Sequence, residues 1–96
     1  MRMNNPTDAE LSRAVAEKLG WWTNQAGDWY HPAASHVSRL ADRGPPDFAS
    51  PNSWPLIGPE IEKRYMDAGF RVTILLYMVN SGETLPRAAC LAILEE

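Results

Sequence analysis

His31 and His36, five positions apart, and the distant Cys90 come nearest to metal-ligand or nucleophile chemistry in this chain. A zinc site needs three or four ligands at workable spacing. Two histidines and one remote thiol, without a paired Cys-x-x-Cys, fall short of that, so no metal is expected. A nucleophilic cysteine needs a helix N-terminus or a basic neighbour to stabilise its thiolate. Cys90 instead lies inside a helical apolar stripe, where cysteine behaves as a small hydrophobe. Asp42, Asp47, Glu60 and Glu62 supply carboxylates, but no two have a spacing that implies an acid–base pair. The six glycines are dispersed among turns and helix ends and form no phosphate-cradling loop. The expectation is a protein without catalytic residues or a cofactor.

The aromatic residues are more informative. Trp21, Trp22 and Trp29 fall in one short run, from Gly20 to Pro32, together with Tyr30 and His31. Trp21–Thr23 and Trp29–His31 read as two short strands. The turn-rich Asn24–Asp28 between them predicts a hairpin with a four- or five-residue loop. Successive strand side chains face opposite sides, so Trp22 pointing inward would turn Trp21 outward, and Trp29 and Tyr30 would not both be inside. At least one large aromatic is therefore expected on the outer face. Such residues are enriched at protein-interface hot spots and also stack on bases. The candidate binding set is Trp21, Trp29 and Tyr30, framed by His36, Arg39 and Arg43 from the following loop.

The elements that must position this set have clear punctuation. Thr7 and Glu10 fit a capping box, Leu11, Ala14, Val15 and Leu19 form an amphipathic stripe, and Gly20 supplies a stop, giving a helix over 8–19. Residues 33–53 read as a long Pro-rich loop anchored by Phe48, and residues 1–6 as a flexible terminus. Trp54, Ile57, Ile61, Tyr65 and Ala68 recur at helical spacing. Pro59 either kinks that helix or starts it after a turn at 54–57. Residues 70–79 alternate as a strand that becomes apolar on both faces, which implies a buried central strand or a partner on its second face. Thr84 then caps a final helix carrying Leu85, Ala88, Ala89, Ala92 and Ile93, whose Glu95 and Glu96 oppose the helix dipole and should fray. The expected fold class is α+β: a small three-stranded, mainly antiparallel sheet layered with three helices in the order α-β-β-α-β-α.

Ninety-six residues make a single domain, 1–96, with a modest core. A net charge of −3 weakens a general nucleic-acid role. A lone cysteine suits a reducing, cytoplasmic setting, the N-terminal residues lack the apolar core of a signal peptide, and the longest apolar run is too short to span a bilayer.

Several segments together resemble the phage ABA sandwich domain family, small proteins encoded by phages and prophages. The matching pieces are Val15–Trp22, Trp29–Pro32, Pro45–Phe48, Ala68–Phe70 and Leu85–Ala92. A further strand common in the family, before the last helix, has no counterpart between Asn80 and Glu83. The resemblance implies a sandwich fold and a phage setting, and no common reaction. With the missing catalytic set, mild acidity and surplus aromatics, it leads to the expectation of a non-enzymatic accessory protein that binds and inhibits a host protein. Counter-defence such as anti-CRISPR activity is one concrete form. The alternatives are a sponge that sequesters a signalling nucleotide, or a structural module that dimerises through an exposed sheet edge or face.

Overall fold

A computed structural model of the chain describes residues 6–25, 27–31 and 46–96. Its elements are α1 (Asp8–Lys18), β1 (Trp22–Thr23), β2 (Trp29–Tyr30), α2 (Trp54–Lys63), α3 (Ala68–Ser81) and α4 (Leu85–Leu94). The expected three-stranded sheet with three helices is not what forms: the described residues give four helices and one two-stranded antiparallel ribbon.

The segment that changes class is 70–79, which is helical rather than extended. Its boundary chemistry explains the outcome. The Asp67 carboxylate accepts from the backbone N–H of Gly69 at 2.9 Å and of Phe70 at 3.3 Å, the bonds of a helix N-cap. At the other end Gly82 adopts φ +67°, the left-handed conformation that terminates helices, and its N–H donates to the Tyr77 carbonyl. The β-branched Val72, Thr73, Ile74 and Val79 suggest a strand. The two caps together with Leu75, Leu76 and Met78 favour a helix, and tertiary packing on α4 completes it.

Helix α4 is the centre of the molecule and packs against α1, α2 and α3. Pro86, Ala88, Ala89, Cys90, Ala92 and Ile93 are all buried on it. The small side chains let neighbouring backbones approach closely, here helices rather than the expected sheet. Leu11, Val15 and Ala16 of α1, Ile57 of α2 and Phe70 and Ile74 of α3 complete the core with Trp21, Trp29, Phe48 and Ala49.

The capping box of α1 is formed in both directions, with Thr7 N–H donating to Glu10 at 2.8 Å and Glu10 N–H to the Thr7 hydroxyl at 3.1 Å. These bonds from Thr7 hold the Glu10 carboxyl below its ordinary pKa. Pro59 lies inside α2, which already starts at Trp54, so the expected alternative of a turn at 54–57 with the helix beginning at Pro59 is not what forms. Phe48 anchors the segment before it, only 1% exposed, with its N–H donating to the buried Ser12 hydroxyl at 3.0 Å.

Helices α1 and α4 lie side by side and run the same way, as two polar clamps show. At their starts, Arg87 bonds Asp8 at 2.6 Å, the Pro6 carbonyl at 2.7 Å and Glu83 at 3.0 Å. At their ends, Lys18 donates to the Glu96 carbonyl at 2.6 Å, while Arg64 reaches the Glu96 carboxylate at 2.6 Å and Glu60 at 3.0 Å. Helix α4 ends at Leu94, before Glu95 and Glu96, and Glu96 is bonded by two cations.

Candidate functional site

The hairpin forms as expected, with Trp22 opposite Tyr30 and Thr23 opposite Trp29. Asn24 organises the loop. Its side-chain oxygen accepts from Asp28 N–H at 3.0 Å, and its own carbonyl accepts from Gly27 N–H at 3.1 Å. Gly27 adopts φ +85°, which glycine reaches without strain.

The aromatic set divides differently from the expectation. Trp21, Trp29 and Tyr30 are buried, at 7%, 5% and 8% exposure, and Trp22 is the exposed member at 38%. Trp21 and Trp29 belong to the core. Trp21 meets Phe48 and His31 edge-on, with ring centroids 6.0 and 5.1 Å apart. Trp29 and Tyr30 are both buried although strand alternation sends them to opposite faces. The reason is Trp22, which lies flat over Tyr30 with centroids 4.2 Å apart and planes 11° apart. Tyr30 is covered by a neighbour on the outer face, and its hydroxyl accepts from Asn24 at 3.2 Å. Alternation holds as geometry, while burial on the outer face comes from a cross-strand stack. His36, Arg39 and Arg43, named with these aromatics, lie outside the described residues.

Cys90 is fully buried and its thiol donates to the Phe48 carbonyl at 3.2 Å. Burial pushes its pKa up to about 12. A thiol in that state has almost no thiolate at neutral pH, and so no nucleophile. No group of three or more His, Cys, Asp or Glu residues among those described is placed to hold a metal ion. A shallow groove of about 220 Å³ runs between the start of α3 and the end of α4, lined by Phe70, Thr73 and Ala92 with Asp67, Glu95 and Glu96. Three carboxylates at its rim oppose an anionic ligand.

The surface that sequence reasoning did not locate is the outer side of α3. At roughly 100° per residue, Phe70, Ile74 and Tyr77 fall on the side facing the core. Val72, Leu75, Leu76 and Val79 fall on the opposite side, at 54%, 59%, 52% and 72% exposure. No charged residue occurs between Arg71 and Glu83. Tyr65 flanks this stripe, its ring 5.4 Å beneath the Arg71 guanidinium. The two-faced apolarity of 70–79 was the available signal. A helix hydrophobic all round is ordinarily buried, and this one is buried on one side only. No helix among the described residues is long and apolar enough to cross a membrane.

No family model, curated protein or solved structure matches this chain.

Proposed function

We propose that this chain is a non-enzymatic interaction protein, acting by covering apolar surface against another protein through the outer face of α3. The observation that carries the reading is that exposed, charge-free stripe of Val72, Leu75, Leu76 and Val79 on a helix whose other side is core. The largest apolar patch on a protein surface is often functional. The buried, protonated Cys90 supports a role without thiol chemistry. In the phage setting that the resemblance implies, the activity is binding and inhibition of a host protein in the cytoplasm, with a CRISPR effector as one concrete target. The anionic-nucleotide reading gains nothing from the described groove, whose rim is acidic.

The test is expression in phage-challenged cells that carry an active defence, beside tagged recovery of bound host protein. Wild type should protect phage and retain a host protein. Leu75→Glu, which puts a charge on an already exposed position, should lose both while keeping its helical content. Equal protection and capture by the two proteins would end the reading.

A further inference from the structure

We propose that α3 is a convertible segment: when its caps release, residues 72–79 pass from helix to extended strand and pair, backbone to backbone, with the same residues of other copies in a cross-β stack. The sequence carries one half of this. Val72, Thr73, Ile74, Tyr77 and Val79 are residue types that favour extended chain. From Val72 to Ser81 there is no charged residue, proline or glycine. High β-propensity, low charge and the lack of proline are what a stacked strand requires, and no gatekeeper residue interrupts the segment.

The structure carries the other half, which is how lightly the helix is held. Phe70 and Ile74 are the buried residues of α3, and no residue after Ile74 is buried. A helix of 14 residues is marginal in water without packing. The half from Leu75 to Ser81 therefore leans on the ends of the helix: the Asp67 carboxylate on the Gly69 and Phe70 N–H groups, and Gly82 in the left-handed conformation. Tyr77 is half-buried, and its hydroxyl meets Glu95 in an exposed pair. The Thr73 hydroxyl turns back on the Gly69 carbonyl at 2.8 Å, a bond that tends to bend a helix. Few buried contacts and exposed backbone bonds are the marks of a segment that opens at low cost. The stack is made by main-chain groups of an extended chain, so it does not depend on which protein the helical stripe meets.

Prolonged shaking of the purified whole chain at high micromolar concentration, in neutral buffer without denaturant, tests the proposal. Wild type should bind thioflavin T after a lag, lose its helical circular dichroism and give fibre reflections near about 4.7 and 10 Å. The core that survives protease should contain 72–79. Asp67→Ala, still helical as a fresh monomer, should shorten the lag about fivefold, the rise in opened population that goes with a lost N-cap. Gly82→Ala should act in the same direction, because alanine is strained at φ +67° although nothing crowds the added carbon. It serves if Asp67→Ala does not fold. Val72→Leu combined with Val79→Leu keeps the exposed apolar surface but exchanges β-branched side chains for helix-favouring ones. That chain should lengthen the lag at least about threefold, a response that simple sticking of helical patches would not give. A wild type that stays soluble and helical overturns the proposal. So do aggregates that keep their helix, a protected core outside 72–79, cap variants no faster than wild type, or a doubly substituted chain that assembles as fast.

Discussion

Cys90 shows how one side chain's surroundings decide its chemistry. The same thiol at a helix N-terminus beside a base would be a candidate nucleophile. Here it is enclosed by α4's small residues and spends its proton on the Phe48 carbonyl. The folded chain holds that proton well above the thiol's ordinary pKa of 9.0, up to about 12. Between those values the unfolded chain binds fewer protons than the folded one, so stability falls as pH rises. The contribution is complete below pH 9 and is lost on the way to 12. The urea midpoint of wild type relative to Cys90→Ala should therefore fall across that alkaline window, whatever offset the lost sulfur causes at neutral pH. In the native state the thiol should also resist a thiol reagent at neutral pH and react only on unfolding.

At the scale of elements, α3 depends on its caps. Asp67→Ala removes the two bonds to Gly69 and Phe70 and should lower unfolding stability by about 1 kcal/mol, read by chemical denaturation. Backbone chemical shifts should stay helical over 72–79. These caps were visible in the sequence: Asp67 three residues before Phe70, and Gly82 after Ser81. The alternation of Phe70, Val72 and Ile74 with Arg71 and Thr73 outweighed them, since a short apolar run fits either period. The first helix was legible because Thr7, Glu10 and Gly20 agreed with the apolar stripe between them. The hairpin and its five-residue loop were legible for a similar reason, with turn chemistry flanked by aromatics. The division of those aromatics was not. Alternation assigns a face to Tyr30, but only the folded hairpin lays Trp22 across it. The outer stripe of α3 was legible as surplus apolarity on 70–79, which already asked for a second partner; the element bearing it was misread.

The whole molecule is a set of helices drawn around α4 and locked by two charged clamps. Burial opposes the charge on Arg87, yet its bonds to Glu83 and Asp8 outweigh that and raise its pKa. With only 18% of its side chain exposed, Arg87 holds three groups: Asp8 of α1, Glu83 just before α4 and the Pro6 carbonyl before α1. Arg87→Ala should cost about 2 kcal/mol, as expected for hydrogen bonds made by a partly buried charge. Arg13 and Glu17 form an i,i+4 pair at 3.1 Å that is 68% and 59% exposed. Arg13→Ala should cost no more than about 0.5 kcal/mol. Urea titration of the two variants side by side checks the ranking.

The parallel pairing of α1 with α4 also sets an order of events during synthesis. Leu11 and Val15 find their main partners on a helix made some seventy residues later, since Arg87 bonds Asp8 across 79 positions. Until residues 85–94 have left the ribosome, the apolar side of α1 lacks the helix it packs against most. The hairpin and the turns can form locally, while the core waits. A nascent chain stalled before α4 should therefore remain sensitive to protease and attractive to chaperones, and gain protection in one step when that helix emerges.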